Sequence, residues 1–470
     1  MEEVPITPFP LERFEAVLDP HDLRRFAQSM ERATECFAGR TLWCVNSTAK
    51  GGGVAEILGS TLGYLAGAGI DVRWLVIEGD DDFFTVTKRI HNRLHGHKGD
   101  GGELGPDELR TFEEGLAPDA RALGEALGGR DLAILHDPQP AGLIPAAKRT
   151  GAGVVWRCHV GTDEPDDVAR TAWDFLRPCV READAWVFSR RAYAWEGLEG
   201  KPLEVIAPCI DAFSPKNQAL DEDVVGAILE AAGILSEGSG SSPEFTRQDG
   251  SPATVSRTAT MIEDRPLSRP DRLVVQVSRW DRLKDPLGVM AGFAQHVPER
   301  TGAHLVLAGP RLAEVPDDPE EDEVLRELVQ ARDSLPETAR VRVHLASLPM
   351  EDDEENSAIV NALQRRADVV VQKSLAEGFG LTVAEAMWKE RPVVASRVGG
   401  IQDQIEHGRS GLMVDDPEDL EAFGRAVTEL LDDRERAEGM GRAAHQRVCD
   451  EFLLDRTVRQ YVDLVASLAG

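Results

Sequence analysis

The sequence predicts an α/β protein of two doubly wound, Rossmann-like domains that face each other across a cleft. Its 470 residues are too many for one ordinary core and suit two α/β domains of about 200 residues each. Hydrophobic residues make up 42% of the chain, which is enough for two buried sheets and too many for a disordered protein. Short β-rich runs alternate with amphipathic helical stretches, the pattern of parallel sheets wrapped by helices.

The predicted strands are short runs that are apolar throughout instead of alternating with polar residues. Such runs are typical of parallel strands that helices cover on both faces. Ligands of this kind of sheet bind beyond the carboxyl ends of its strands. The runs of the first half are 41–45, 72–77, 132–135, 154–158, 185–188 and 203–206. Those of the second half are 273–277, 304–307, 341–344, 369–371, 393–395 and 411–414.

The domain division follows from a change of composition in the middle of the chain. Glycine, serine, proline and charged residues dominate 236–270, so we expect a mobile insertion between the domains. The predicted segments are an N-terminal domain, a linker that contains the insertion, a C-terminal domain and a last helix that packs back on the N-terminal domain: 1–215, 216–270, 271–455 and 456–470.

The charge balance excludes two classes of partner. The chain has 83 acidic and 52 basic residues, a formal net charge of −31. An acidic surface of this kind repels nucleic acid and anionic lipid, so we expect small-molecule substrates and neither a nucleic acid nor a membrane as partner. Adaptation to a salt-rich cytoplasm is an alternative reason for the same charge.

The cysteines and the N-terminus favour a cytoplasmic protein. Residues 1–10 lack the basic and then apolar pattern of a signal peptide, and no apolar run reaches the roughly 20 residues that span a bilayer. The cysteines form neither a CxxC pair nor a cluster with histidine, so we expect free thiols and no metal site. They are Cys36, Cys44, Cys158, Cys179, Cys209 and Cys449.

A glycine-rich turn follows the first predicted strand. Gly51, Gly52 and Gly53 stand between that strand and a helical stretch, and without Cβ atoms they let backbone N–H groups approach a ligand oxygen. The segment is neither a GxGxxG nor a Walker loop, so an ordinary tight turn is an equal alternative.

Two cations follow the first predicted strand of the second half. Arg279 and Lys284 lie in the segment after 273–277, where the carboxyl end of a strand meets ligand. Arginine offers a planar fork and lysine a point charge, and together they can neutralise a diphosphate. Taken alone, the pair is also typical of an exposed loop with ordinary surface charge.

The strongest motif follows the strand 369–371. Its glycines suit a loop that approaches a ligand closely, and its threonine can cap a helix whose N–H groups attract an anion. The two glutamates can accept hydrogen bonds from sugar hydroxyls on either side of one ligand. The motif comprises Glu377, Gly378, Phe379, Gly380, Leu381 and Thr382, followed by Glu385.

These residues resemble the two-glutamate signature of the retaining glycosyltransferases of family 4, which have the GT-B fold of two Rossmann-like domains. Arg279 and Lys284 match the diphosphate-binding pair of that family. Further matches narrow the resemblance to its trehalose-forming subfamily, and they lie at 45–48, 51–56, 76–80, 83–88, 91–92, 136–140, 156–159, 210–211 and 216–217.

The resemblance implies a role for each donor-side residue. Arg279 and Lys284 hold the diphosphate and stabilise the leaving group. Glu377, with the N–H groups from Gly378 to Leu381, positions the glucosyl hydroxyls and the phosphate. Glu385 binds the ribose diol, and Gly52 and Gly53 close over the phosphates.

The resemblance also implies an acceptor side. His159 hydrogen-bonds the transferred sugar near the reacting carbon, and Asp137, Glu56 and His91 lie near the acceptor.

The implied reaction joins glucose from a nucleoside diphosphate glucose, such as ADP-glucose or UDP-glucose, to free D-glucose and gives α,α-trehalose. The departing phosphate takes the proton of the acceptor, the α configuration is retained, and no metal or other cofactor is required. We also expect a homodimer. The alternatives are a retaining trehalose phosphorylase, a sugar-nucleotide epimerase of similar shape and a non-catalytic nucleotide-sugar-binding protein.

Overall fold

The chain folds into two compact units. A computed structural model describes residues 1–49, 52–236, 240–312 and 319–469. The first unit is Met1–Cys209 together with Phe452–Gly470, and the second is Ile210–Glu451. The first boundary therefore falls at 209/210, a few residues before the predicted position, and the chain returns to the first unit at Phe452.

The first unit is built on one sheet. Its strands are β1 (Glu2–Val4), β2 (Leu42–Asn46), β3 (Val72–Val76), β4 (Leu132–His136), β5 (Gly153–Cys158), β6 (Ala185–Phe188) and β7 (Leu203–Val205). Among the described residues they are ordered β1-β3-β2-β4-β5-β6-β7. All pairs are parallel except β1 with β3. The strand order reverses between β2 and β4, which makes that position the switch point of the sheet.

The second unit repeats the design. Its strands are β8 (Glu244–Thr246), β9 (Pro252–Thr254), β10 (Thr260–Ile262), β11 (Arg272–Val277), β12 (Ala303–Pro310), β13 (Val343–Leu348), β14 (Val369–Gln372), β15 (Val393–Ser396) and β16 (Leu412–Val414). The described part of its main sheet has the order β10-β13-β12-β11-β14-β15-β16. The parallel strands follow the Rossmann order, and their switch point lies between β11 and β14.

Helices connect the strands of both units. Those of the first unit are α1 (Pro20–Cys36), α2 (Gly53–Gly67), α3 (Asp81–Leu94), α4 (Pro106–Ala126), α5 (Ile144–Arg149) and α6 (Asp167–Val180). The second unit has α7 (Glu222–Ala231), α8 (Pro286–His296), α9 (Pro319–Asp333), α10 (Glu337–Arg340), α11 (Asp353–Arg366), α12 (Leu381–Trp388), α13 (Ile401–Gln404), α14 (Leu420–Asp432) and α15 (Arg434–Glu451). The chain ends with α16 (Leu454–Ala469), which belongs to the first unit and packs on α1. No helix in the described ranges is both long enough and apolar enough to cross a membrane.

Aspartate starts several of these helices. The side chains of Asp80 and Asp166 each accept a hydrogen bond, 2.8 Å long, from a backbone N–H in the first turn of α3 and of α6. Asp285 and Asp352 do the same at α8 and α11. A carboxylate there satisfies a free N–H and faces the positive end of the helix dipole, so part of the acidic composition has a structural use.

Each unit has its own apolar core against its sheet. In the first unit Phe83, Phe112 and Trp156 are buried together with the strand residues around them. In the second unit the core includes Val274, Phe293 and apolar side chains of α14. The predicted strands are confirmed, each within a few residues of its predicted bounds, and the α/β fold of two Rossmann-like domains is confirmed with them.

The structure corrects the prediction of a linker at 216–270. Outside residues 237–239, which are not among those described, the segment contains α7, the antiparallel pair β8–β9, and β10, which extends the main sheet beside β13. Its arginines find carboxylates at the start of α11: Arg247 Nη2 lies 2.6 Å from Asp352 Oδ2, and Arg257 bonds Glu355. These contacts make the segment part of the second unit.

Candidate functional site

The switch point of the second unit is where its predicted donor residues meet. β11 and β14 are adjacent in the sheet, and the segments that follow them begin at the same edge. Lys284 lies after β11 and Glu377 after β14, and Lys284 Nζ is 2.5 Å from Glu377 Oε2. Their side chains are 20% and 10% exposed, so the pair is shielded yet still open to a ligand. The structure thus joins two residues that the sequence separates.

Gln276 holds the segment that carries Lys284. This residue of β11 is buried, and its Nε2 donates hydrogen bonds to the carbonyl oxygen of Lys284 at 3.0 Å and to Ser278 Oγ at 3.2 Å. Sequence reasoning missed Gln276. The available signal was a polar residue inside an otherwise apolar strand, a position that is costly unless its hydrogen bonds are made.

Arg279 lies at the same strand end but contacts different residues. Its side chain is 57% exposed and faces Asp281, with Nη2–Oδ2 at 3.3 Å, and Glu321, with Nη1–Oε1 at 3.8 Å. The joint binding of a diphosphate by Arg279 and Lys284 therefore stays a prediction. An exposed arginine between carboxylates can change partners at little cost when an anionic ligand binds.

The glycine loop from Gly378 to Gly380 approaches another backbone segment closely. Gly400 N–H donates to the carbonyl oxygen of Gly378 at 3.1 Å. A Cβ on Gly400 would lie 2.7 Å from Cα of Phe379, so only glycine fits there. Gln404 Nε2 donates to the carbonyl oxygen of Phe379 at 2.5 Å. These contacts hold the loop against the segment that carries Gly400 and Gln404.

Gly380, and not Thr382, is the N-cap of α12. Gly380 has φ +85°, a left-handed conformation that glycine adopts without strain, and Leu381 is the first helical residue. The prediction that Thr382 caps the helix is therefore wrong. Its hydroxyl instead donates to Gln372 Oε1 at 3.0 Å and ties the first turn of α12 to the end of β14.

Glu385 is held inside the second unit. It lies on α12, is 1% exposed, and its carboxylate is 3.7 Å from Lys216 Nζ and 3.5 Å from Gln364 Nε2. Lys389, one turn further along, donates to the carbonyl oxygen of Glu385 at 3.1 Å and to Gln364 Oε1 at 2.8 Å. Of the two side chains of this ion pair, only that of Lys216 is partly exposed, at 22%.

The first glycine-rich turn lies at the switch point of the first unit. Lys50 and Gly51 of the predicted loop lie outside the described residues. Gly52 is exposed, has φ +81° and is the N-cap of α2, which starts at Gly53. Glu56 follows in the first turn of that helix and is partly buried.

Asp137 and His159 are brought together at the ends of β4 and β5. Asp137 Oδ1 accepts a hydrogen bond of 2.7 Å from the backbone N–H of His159. Asp137 has φ +70°, a left-handed conformation that is strained for a residue with a side chain. Burial raises the pKa of its carboxyl to about 6, although the hydrogen bond and the charge of Arg157 oppose the shift. A perturbed, strained carboxyl at this edge is typical of a functional site.

His159 is also bonded by side chains that sequence reasoning left without a role. Its Nε2 lies 3.3 Å from Arg157 Nε and 3.3 Å from His136 Nδ1. Burial, then the charge of Arg157, holds the pKa of His159 well below its usual value, and burial lowers that of His136 to about 3. Both imidazoles are neutral at physiological pH.

Among the described residues, the structure records a ring contact of His91 with His95, and none with His159. His91 is a residue of α3, and its ring is 5.1 Å from that of His95, centroid to centroid. Over the described ranges, no hydrogen bond links the side chains of His91 and Asp137. The acceptor role implied for His91 and Glu56 therefore stays a prediction.

Comparison with known families matches each unit separately. A family model for the N-terminal domain of trehalose synthase matches residues 44–195, and one for group 1 glycosyl transferases matches residues 259–447. The first match spans β2 to β6, and the second spans the Lys284–Glu377 pair.

Relatives match over most of the chain. Trehalose synthase of Rubrobacter xylanophilus is 36% identical over 428 residues, 91% of this chain and 90% of that one. Trehalose phosphorylase of Grifola frondosa is 26% identical over 421 residues, 86% of this chain and 54% of that one. A UDP-forming α,α-trehalose-phosphate synthase structure from Burkholderia vietnamiensis has a TM-score of 0.67 at 14% identity, covering 91% of this chain and 98% of that one. Such a distant likeness shows the fold, GT-B.

Proposed function

The chain belongs to the trehalose synthase family of glycosyltransferases, and from that premise we propose that it makes α,α-trehalose by transferring glucose from a nucleoside diphosphate glucose to free D-glucose. The observation that carries the proposal is the Lys284–Glu377 pair at the switch point of the second unit, with Nζ and Oε2 2.5 Å apart. An ammonium held there by a carboxylate can bind phosphate oxygens while the carboxylate accepts hydrogen bonds from sugar hydroxyls.

The second unit supplies the donor site in this proposal. Lys284 stabilises the charge that develops on the departing diphosphate, and Arg279 adds a second cation after leaving its carboxylate partners. The N–H groups at the start of α12 face the same strand ends and favour an anion. Glu385 binds the ribose diol, for which its ion pair with Lys216 has to open.

The first unit supplies the acceptor residues. Asp137 has a carboxyl whose pKa of about 6 lets it accept a hydrogen bond from a sugar hydroxyl at neutral pH. His159, fixed by the same carboxyl through its backbone, contacts the transferred glucose. The hydroxyl proton of the acceptor passes to a phosphate oxygen of the leaving group as the new glycosidic bond forms, and the α configuration is retained.

We propose that the cations of the chain serve in place of a metal. Lysine and arginine neutralise a diphosphate without the coordination geometry that a divalent ion requires. Product formation should then be unchanged after dialysis against EDTA and should not rise when Mg²⁺ or Mn²⁺ is returned. A loss of activity that only a divalent ion restores would contradict this.

The deciding experiment offers labelled glucose with each of ADP-, UDP- and GDP-glucose, and separately with glucose 1-phosphate. We expect a non-reducing disaccharide from at least one nucleotide sugar, with release of the nucleoside diphosphate. Product from glucose 1-phosphate alone would instead show a trehalose phosphorylase, which the match to the Grifola enzyme keeps as the second candidate. Conversion of the donor to its C2 epimer, with no disaccharide, would show an epimerase.

We further propose a cytoplasmic homodimer. The six cysteines are free thiols in the structure, as suits a reducing compartment. Light scattering should give a mass twice the 51.3 kDa of one chain.

A further inference from the structure

A cluster of three buried or partly buried side chains lies at the carboxyl ends of β4 and β5. Arg157 and His136 are 1% and 4% exposed, and both approach Nε2 of His159 at 3.3 Å. Arg157 Nη2 is held by Ser189 Oγ, also at 3.3 Å. The cluster contains one fixed charge, the guanidinium, and two imidazoles whose protons can sit on either nitrogen.

The guanidinium decides where the proton of His159 sits. An arginine side chain has N–H donors, no acceptor, and keeps its charge in proteins. Because Arg157 Nε–H points at His159 Nε2, that nitrogen has to accept and therefore carries no proton. A neutral imidazole has one N–H, so the proton of His159 is on Nδ1.

The same reasoning fixes His136. Its Nδ1 faces a nitrogen that accepts, so Nδ1 carries the proton and donates it. The other nitrogen, Nε2, is then bare, and within the described residues it has no hydrogen-bond partner. His136, Arg157 and His159 all line a cavity of about 50 Å³ whose other walls are mostly apolar and include Ile134 and Val458. A bare nitrogen is tolerated in such apolar surroundings better than an N–H without a partner.

We propose that Arg157 and His136 are positioning residues that fix His159 in its Nδ1–H form and present that N–H as a hydrogen-bond donor to the substrate. The identity of the substrate, a glucosyl group, rests on the proposed function; the position of the proton does not.

A chemical consequence concerns the role of His159 in transfer. The lone pair of Nε2 is engaged by two donors, and Nδ1 already carries a proton, so the ring has no free lone pair with which to take a proton from the acceptor. His159 therefore contributes as an oriented dipole and not as a general base. In the described chain no hydrogen bond engages His159 Nδ1, which leaves it available to a sugar oxygen.

The direct test is nitrogen NMR of the full chain with labelled histidine at neutral pH, without substrate. The chain has 11 histidines, and the spectrum of His159→Gln assigns the signals of residue 159 by difference. We expect a protonated Nδ1 and a bare Nε2 in His159, and the same in His136. His97 is exposed and serves as the internal control, since its ring N–H proton exchanges with water and, in the part of the chain that the structure describes, its tautomer is not fixed by neighbouring side chains. A proton on Nε2 of His159, or on both its nitrogens, overturns the proposal.

Variants then test which residues fix the tautomer of His159. Arg157→Met removes the donor, and we expect signals of both tautomers for His159 and turnover lower by roughly 10- to 100-fold, the cost of one misdirected donor. His136→Phe keeps an aromatic ring but has no N–H, and it should lower turnover more than His136→Asn, whose amide still donates. If His159 keeps a single tautomer in Arg157→Met, the positioning role of Arg157 is wrong. If Arg157→Met does not fold, the wild-type spectrum and the His136 pair still decide.

The test is separable from the proposed function. The NMR measurement needs no donor or acceptor, so absence of trehalose with the expected tautomer would reject the function and leave the positioning intact. Trehalose formation with the opposite tautomer of His159 would support the function and reject the positioning.

Discussion

The Asp137 carboxyl combines two features that cost folding free energy. Its left-handed backbone, φ +70°, is strained, and burial raises its pKa to about 6 from an ordinary value near 4. Between pH of about 4 and 6 the folded state holds a proton that the unfolded chain has lost. The free energy of unfolding therefore falls as pH rises through this window, and above it the ionised carboxylate destabilises the first unit.

Asp137→Asn should stabilise the first unit and impair the enzyme. Asparagine tolerates positive φ, and its Oδ1 can still accept the His159 N–H, while no charge is buried. We expect the free energy of unfolding to rise by about 1–2 kcal/mol above pH 6, with no gain below about pH 4. Turnover should fall at least tenfold. Denaturant titrations at pH 4 and pH 7.5, with a trehalose assay, measure both.

Asp131→Asn is the matched control. Asp131 Oδ2 accepts from Trp43 Nε1 at 3.1 Å and from Gly128 N–H at 2.8 Å, and Oδ1 accepts from Thr41 N–H at 3.0 Å. In either orientation the NH₂ of asparagine, which only donates, would face an N–H. That variant should lose stability. A loss of stability in Asp137→Asn as well would mean that its carboxylate is better solvated than its burial indicates.

Lys284 and Glu377 should act as one unit in catalysis. Replacing either with alanine leaves the other charge without its partner, so each single variant should lower turnover by roughly 100-fold, as for one preorganised electrostatic contact. The double variant should lose little more than either single one. Arg282→Ala is the control, because Arg282 lies two residues from Lys284 but bonds Glu327. Wild-type rates in both single variants would show that the donor site lies elsewhere.

Among single residues, the sequence predicts those that belong to a recognisable local motif. It misses those whose role depends on a contact in the folded structure. Glu377 and Lys284 stand in recognisable loops, and their pairing follows from the adjacency of β11 and β14. Gln276 and His136 are single polar residues in apolar strands. Gln276 bonds the stretch that follows its own strand, and His136 bonds His159 from the neighbouring strand, so both roles depend on distances that spacing along the chain does not give.

Among the elements, the glycine loop before α12 depends on Gly400. A Cβ at that position meets Phe379 Cα at 2.7 Å and the carbonyl oxygen of Gly378 at 2.9 Å, and backbone atoms cannot yield as a flexible side chain can. Gly400→Ala should therefore displace the loop and raise the KM for the nucleotide sugar at least tenfold. It should also cost roughly 1–3 kcal/mol of stability, as overpacking does.

Gly439→Ala is the matched control, a glycine-to-alanine change at a position away from the loop. Gly439 lies within α15, and its added Cβ comes no closer than 3.9 Å, to Arg442 Nη2. That variant should keep its KM and gain up to about 1 kcal/mol from helix propensity. Steady-state kinetics and urea denaturation of both variants give the comparison, and equal KM values would show that the loop does not contact the donor.

The parallel strands were predictable because most of them are buried on both faces and are nearly continuous apolar runs. The short antiparallel strands were not. β1, β8, β9 and β10 each have three residues, too few to show a period, and β8 to β10 lie in a segment rich in glycine, serine and proline. The segment is ordered by the pairing of β10 with β13 and of Arg247 with Asp352. These contacts join residues about a hundred positions apart in the sequence, so a local pattern does not reveal them.

For the whole molecule, the important feature is that the first unit is discontinuous. Its last segment, Phe452–Gly470, returns from the second unit and carries α16, which packs on α1. Val458, Val462 and Leu464 are buried in this helix. Each contributes roughly 1.5–3 kcal/mol through burial, so the fold of the first unit depends on residues that follow the whole second unit along the chain.

A chain that ends at Glu451 should keep the second unit and lose much of the stability of the first. The truncation removes several buried aliphatic side chains at once. The summed loss of burial free energy approaches the 5–15 kcal/mol by which an ordinary domain is stable. Calorimetry should show the transition of the first unit lowered by more than about 10 °C or absent, with the other transition in place. The fragment 210–451, which holds the whole second sheet, should fold alone and give the same transition. One transition that shifts as a whole would instead mean that the two units unfold together.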